Sequence, residues 1–214
     1  MLIVMRLSWL IVVFLCGSAV AQQSQVSPPI SVGIVFDTSG SMGQKLQQSR
    51  QLVVQFIKTA DPQDELFLVQ FSDRPVLING FSANTDEIQN HLTFIEAKGR
   101  SALLDAIYLA LDEMKKARNS RKALLVISDG GENSSRSTAD EIKTLVREAD
   151  VRIYPIGIYA SLPFRERTTE ELSGPGRLNE IAEQSGGRHF AVERLAELPS
   201  VIAQLRIALR TERQ

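Results

Sequence analysis

Buried apolar runs that alternate with helical stripes predict an α/β fold, doubly wound about a mostly parallel six-stranded sheet, for this chain of 214 residues. Three observations carry that expectation. Ile34-Val35-Phe36, Leu66-Phe67-Leu68-Val69 and Leu124-Leu125-Val126-Ile127 are apolar without alternation, as in strands covered on both faces. Between such runs lie segments whose apolar residues recur every three or four positions, the mark of one helix face. Strands joined through helices lie parallel, and the connecting helices then cover both faces of the sheet.

In chain order, the first strand is Ile30 to Phe36, ending at Asp37. Gln44 to Ala60 follows as a helix with Leu46, Leu52, Val53, Phe56 and Ile57 on one face, stopped by Asp61-Pro62. Glu65 to Phe71 is the second strand. Only Ser72-Asp73-Arg74 separates it from the third, Pro75 to Phe81, so the two form an antiparallel hairpin; the leading proline, which has no N–H to donate, places strand three at an edge. Asn84 to Ala97 is a helix capped in the Asn84-Thr85-Asp86 region. The turn Gly99-Arg100-Ser101 opens a stronger helix, striped by Leu103, Ala106, Ile107, Ala110, Leu111 and Met114. Ala123 to Ser128 is the fourth strand, and Ser137 to Ala149 a helix capped by Ser137 or Thr138. Val151 to Tyr159 is the fifth strand, Ser161 to Gly176 an irregular polar stretch, and Arg177 to Gln184 a helix closed by Gly186-Gly187. Arg188 to Val192 and Leu195 to Arg210 complete the pattern as a sixth strand and a last helix.

Charge and composition exclude several classes. With 24 basic against 25 acidic residues and 43% hydrophobic content, the chain has no electrostatic footprint for nucleic acid and enough apolar material for one core. Its first residues differ from the rest. Arg6, the apolar run Leu7 to Cys16 and then Ala19-Val20-Ala21 have the order of a signal peptide, residues 1–21, cut after Ala21. That apolar run is shorter than the about 20 residues a spanning helix needs, so no membrane span is expected in the mature chain. Cys16 is the only cysteine and lies inside this leader; Phe14-Leu15 before it are too bulky for a lipid-attachment site. Export to the periplasm or beyond, with no disulfide, is the expectation. Residues 22–29, ending in Pro28-Pro29, read as a linker, and 30–214 as the domain.

The chemistry is concentrated where the first strand gives out. In Asp37-Thr38-Ser39-Gly40-Ser41, oxygen-bearing side chains stand at every second position, so Asp37, Ser39 and Ser41 project to one side while Gly40 lets the backbone curl. One carboxylate and two hydroxyls form a hard, oxygen-only donor set that suits Mg²⁺ or Mn²⁺ better than zinc, with Ca²⁺ admissible. The same residues also make an ordinary capping turn.

Asp37-x-Ser39-x-Ser41 after an apolar strand resembles the metal-ion-dependent adhesion site of the von Willebrand factor A family. Gly99-Arg100-Ser101-Ala102-Leu103 is similar to that family's second loop, with serine where threonine is commoner, and Val126-Ile127-Ser128-Asp129-Gly130 to its third. Three loops in order make the match specific. The resemblance implies a Rossmann-like sheet of order 3-2-1-4-5-6, with the site where the order reverses between strands one and four. It also implies that Ser101 and Asp129 complete the metal site, hydroxyls binding the cation and the two aspartates binding it directly or through water. The cation then takes a carboxylate from a partner protein as its last ligand.

An enzyme of another class also fits part of the pattern. Phosphoaspartate hydrolases present a nucleophilic aspartate after a buried strand with Mg²⁺ alongside, which would cast Asp37 in that role. They resemble Asp-x-Asp, however, where this chain has Ser39, and Lys122 and Lys98 offer no suitable lysine. Serine hydrolysis lacks Gly-x-Ser-x-Gly around Ser39 or Ser41. The favoured expectation is a non-enzymatic, exported binding module for an acidic protein ligand. Its partner specificity is expected from Phe164, Arg165 and Arg167 in the irregular stretch, with Gly130 to Ser135 beside the metal. N-terminal sequencing of the exported protein is expected to return Gln22 as the first residue; material that begins at Met1 would refute the leader.

Overall fold

The computed structural model describes residues 28–159 and 169–211, so the leader and most of the linker lie outside the described residues. Strands β1 (Ile30–Asp37), β2 (Glu65–Phe71), β3 (Pro75–Ser82), β4 (Arg121–Ser128), β5 (Arg152–Ile158) and β6 (Phe190–Val192) form one sheet in the order β3-β2-β1-β4-β5-β6. All pairs are parallel except β2 with β3. The proline-led β3 is the edge strand, as its missing N–H requires.

Helices α1 (Leu46–Ile57), α2 (Asp86–Phe94), α3 (Leu103–Met114), α4 (Ala139–Glu148), α5 (Thr169–Gln184) and α6 (Leu198–Thr211) cover the two faces. The strand period of two divides the core. Ile34, Phe36, Leu66, Leu68, Leu125 and Ile127 pack with α1, α2 and α6, whereas Val35, Phe67, Val69, Leu124 and Val126 pack with α3, α4 and α5. The central strands therefore carry continuous apolar runs through their middles because both faces are buried there. Thr138 caps α4 in a reciprocal box: its hydroxyl accepts the Glu141 N–H while the Glu141 carboxylate accepts the Thr138 N–H.

Several expected boundaries move, among them the helix expected over Asn84 to Ala97, which spans Asp86–Phe94. The sixth strand shortens to Phe190–Val192. The stretch expected to be irregular as far as Gly176 is helical from Thr169, through Gly174-Pro175-Gly176. Local propensity argues against a helix there, but α5 lies along β5 and presses on the loop after β4, and that packing wins. Contact is backbone to backbone: a Cβ on Gly174 would lie 2.1 Å from the Asp129 carbonyl oxygen, and one on Gly130 2.4 Å from the Gly174 oxygen. Gly130 also has φ +82°, a conformation that favours glycine.

At the amino end of the sheet, buried acids meet cations. Asp64 pairs with Arg210. Glu65 takes the Ser31 hydroxyl at 2.7 Å, the Arg118 N–H at 2.7 Å and its Nε at 2.8 Å. These contacts tie the first and last elements together, Arg210 also reaching the Pro28 carbonyl at 3.0 Å. Gly33 marks the tightest strand contact, since a Cβ there would lie 2.2 Å from the Phe67 ring and 2.5 Å from Leu124. Gly33→Ala is expected to cost about 1–3 kcal/mol through overpacking, read as a lower urea midpoint at unchanged slope.

Candidate metal centre

Parallel neighbours end on the same side, and β1 pairs with β4 in a register that sets Phe36 against Ile127. Asp37 and the Ser128-Asp129 pair thus emerge side by side at the point where the strand order reverses. Asp37 is fully buried. Its Oδ1 accepts the Ser39 N–H at 2.8 Å and its Oδ2 the Ser128 hydroxyl at 2.5 Å. A single 3₁₀ turn, Gly40–Met42, brings the Ser39 and Ser41 hydroxyls within 3.2 Å of each other, Ser39 buried and Ser41 exposed at the mouth.

The second and third loops close around this turn. Gly40 N–H donates to the Gly99 carbonyl at 2.9 Å, and Lys98 N–H to that of Thr38 at 2.8 Å. Ser101, 3% exposed, donates its hydroxyl to the Gly131 carbonyl at 2.7 Å and its N–H to Asn133 Oδ1 at 3.0 Å. Its own carbonyl accepts the N–H groups of Asn133 and Ser134. Asp129, 1% exposed, accepts the Gly131 N–H at 3.0 Å on Oδ1 and the Lys45 ammonium at 2.7 Å on Oδ2. Glu132 turns back to take the Leu104 N–H at 2.9 Å at the start of α3. Asp105 accepts the Arg136 and Ser137 N–H groups and so braces the approach to α4.

Asp37, Ser39, Ser41, Ser101 and Asp129 are therefore gathered into three adjoining loops, while Phe164, Arg165 and Arg167 lie outside the described residues. The donor set suits a hard cation. A hydroxyl that donates its proton keeps lone pairs, so Ser101 can face a metal while bonded to Gly131. Burial, and after it the charge of Asp129, push the Asp37 carboxyl up to about 7, against the lowering effect of its Ser128 and Ser39 hydrogen bonds. Two carboxylates that penalise each other in this way would be relieved by a divalent cation between them. Among the described residues no group of three or more His, Cys, Asp or Glu is placed to hold a metal.

Lys45 was not foreseen as part of the centre. It stands on the buried stripe that continues as Ser49, Leu52, Val53 and Phe56, and that spacing is the signal that marks it as inward-facing. Asn133 and Glu132 carry no such signal, because their roles depend on contacts with a loop about thirty residues away in sequence, as their pairings with Ser101 and Leu104 show. A separate cleft of about 400 Å³, lined by Tyr108, Leu111, Met114, Lys122, Leu145 and Val151, lies at the opposite end of the sheet, beside the start of β4.

A doubly wound sheet with this loop set at its switch point resembles a domain of the von Willebrand factor A type. Residues 32–132 match the family model described as "von Willebrand factor type A domain". The chain is 28% identical over 142 residues to inter-alpha-trypsin inhibitor heavy chain H4 of Bos taurus, an alignment that covers 60% of this chain but 16% of the heavy chain. Its fold is similar to that of the von Willebrand factor type A protein from Catenulispora acidiphila, at a TM-score of 0.69 and 16% identity over 87% of this chain and 44% of that one. It is similar also to that of the vWF domain of the type V pili tip protein Mfa5 from Porphyromonas gingivalis, at 0.67 and 12% over 88% and 99%.

The elevated Asp37 carboxyl has a consequence for stability. Its ordinary value is 3.8 and its value in the fold about 7. The stabilisation from its neutral form is complete below pH 3.8 and is lost as pH rises to about 7, because over that window the unfolded chain has released a proton that the native state still holds. In EDTA, Asp37→Asn is expected to match the wild type near pH 4 and to exceed it by at least about 1 kcal/mol at pH 7.5, measured by denaturant unfolding at both pH values.

Proposed function

We propose that this chain is an exported, metal-dependent protein-binding module, in which Mg²⁺ or Mn²⁺ accepts a carboxylate from a partner protein. The observation that carries this reading is the convergence of two buried carboxylates, Asp37 and Asp129, with the Ser39, Ser41 and Ser101 hydroxyls where the strand order reverses. In the proposed centre the hydroxyls hold the cation, and the two aspartates bind it directly or through water. Because three of the protein's five donors are neutral, the cation keeps electrophilic character and an open position at the exposed Ser41 side. A partner's acidic side chain fits that position. The similar fold of a type V pili tip protein supports a role in contacts outside the cell. Among the described residues no helix is long and apolar enough to cross a membrane. Partner choice is assigned to the Phe164, Arg165 and Arg167 stretch and to Gly130 through Ser135.

One observation favours the hydrolase alternative: Lys45 brings to Asp129 a lysine of the kind a phosphoaspartate enzyme needs near its phosphate. The binding reading remains better supported. Asp37 is fully buried with both oxygens engaged, Ser39 stands where such an enzyme has a second carboxylate, and Lys122 borders the cleft at the far end of the sheet. His91 and His189 are held by Gln70 and Tyr159 respectively, which leaves no histidine poised beside Ser39.

Millimolar Mg²⁺ or Mn²⁺ is expected to raise the melting temperature of the wild type, since a ligand that binds only the native state stabilises it by mass action. Asp37→Ala and Asp129→Ala lose the shift, Ser101→Ala weakens it, and Ser101→Thr, which keeps the hydroxyl, retains it. Equal shifts in wild type and both aspartate variants would overturn the site. A partner captured from envelope extract in Mg²⁺ is expected to be released by EDTA and absent with Asp37→Ala. Turnover of a phosphate ester that disappears in Asp37→Ala would instead establish the enzyme.

A further inference from the structure

We infer that Gln70, backed by His91, is a positioning residue for the proposed centre: the two reach Thr38 through an oriented hydrogen-bond chain that holds the Asp37–Ser39 turn in the shape that accepts the cation. This rests on the metal-site reading above and adds to it residues that are not metal donors.

Thr38 stands between two of the proposed donors and is only 1% exposed. In extended backbone alternate side chains point to opposite sides, so Asp37 and Ser39 face the centre while Thr38 faces away, and the seat of Thr38 sets the direction of both neighbours. That seat is built from β2 and the approach to the second loop. The Phe71 carbonyl accepts the Thr38 N–H at 2.8 Å and its hydroxyl at 2.9 Å, and the Thr38 carbonyl accepts the Lys98 N–H at 2.8 Å. Gln70 Nε2 donates to the Thr38 hydroxyl oxygen at 3.2 Å, and His91 Nε2, from α2, lies 2.7 Å from Gln70 Oε1.

One end of this chain cannot change its role. A backbone carbonyl only accepts, so the Thr38 hydroxyl donates to Phe71 and therefore accepts from Gln70. The Gln70 amide is thereby turned with its nitrogen toward Thr38 and its oxygen toward His91. That oxygen too only accepts, so His91 carries a proton on Nε2. Burial lowers the His91 pKa from its ordinary value and favours the neutral ring, which places the bare nitrogen at Nδ1. Bonds aligned in one direction reinforce one another. Gln70 and His91 are only half-buried and border an open cleft of about 280 Å³, where water can satisfy either one separately. What their bond to each other adds is a fixed direction for Gln70.

The test uses the full chain in wild type, Gln70→Met, Thr38→Val and Thr38→Ser, with Mn²⁺ binding followed by water proton relaxation and the melting temperature taken in EDTA. Gln70→Met and Thr38→Val break the chain at similar side-chain size, and each is expected to weaken Mn²⁺ binding about tenfold, as loss of an outer partner of a metal site does. Thr38→Ser keeps the hydroxyl and stays near wild type. Unchanged Mn²⁺ affinity in Gln70→Met and Thr38→Val, with only the melting temperature in EDTA lowered, would overturn the inference by showing that the chain merely supports the fold. If either altered protein does not fold, the wild type decides by nitrogen NMR. At neutral pH His91 is expected to show a protonated Nε2 and a bare Nδ1, and saturating Mg²⁺ to move the side-chain signals of His91 and Gln70. A neutral ring with its proton on Nδ1, or signals that do not respond to bound Mg²⁺, overturns the inference alone. Wild type that binds neither ion overturns the metal reading and the inference with it, which separates the two failures.

Discussion

Everything at the carboxyl end of this sheet follows from placing two ionisable aspartates at the ends of adjacent parallel strands. Parallel pairing leaves Asp37 and Asp129 no choice but to emerge together, and the helices on both faces remove them from water. Each nearby feature answers that repulsion. Ser39 and Ser128 give Asp37 hydrogen-bond donors, Gly131 and Lys45 do the same for Asp129, and Gly40 and Gly99 let the loops close over the pair. Hydrogen bonding reduces the cost without cancelling it, as the raised Asp37 carboxyl shows.

The two ends of the sheet use the same residue types to different ends. At the amino end, Asp64 and Glu65 are matched by Arg210 and Arg118, and the result is a fastening between distant parts of the chain. At the carboxyl end, Asp129 is paired with the Lys45 ammonium while Asp37 meets only the Ser39 N–H and the Ser128 hydroxyl, so its burial is answered by hydrogen bonds alone. The fastening and the proposed site lie at opposite ends of the strands, in keeping with the general placement of ligand sites beyond the carboxyl ends of α/β strands.

Much of this is legible in the chain because it is local. Continuous apolar strands report two buried faces, and the three-residue link before Pro75 permits only a hairpin. The donors of the centre are also readable, since Asp37, Ser39 and Ser41 fall within five residues. What escapes has a shared cause, which is that it depends on contacts remote in sequence. Asn133 is defined by Ser101, and the helicity of Gly174-Pro175-Gly176 by the sheet beneath it. Lys45 is an intermediate case: its helical spacing points inward, but the acid that receives it is 84 residues away.

The meeting of Gly130 and Gly174 bears on how a change at the centre would travel. Their backbones already touch, with no side chain between them to deform, so the contact acts as a rigid strut. The loop that carries Asp129 has no slack on that side; moving it toward α5 must push the helix, and moving it away opens a gap. The Arg177 guanidinium, one turn further along α5, grips the Gly130 carbonyl and resists the second movement. A displacement of Asp129 toward α5 would therefore be passed to the helix itself. Mechanical linkage of this kind requires no additional switch, only two glycines with nothing between them.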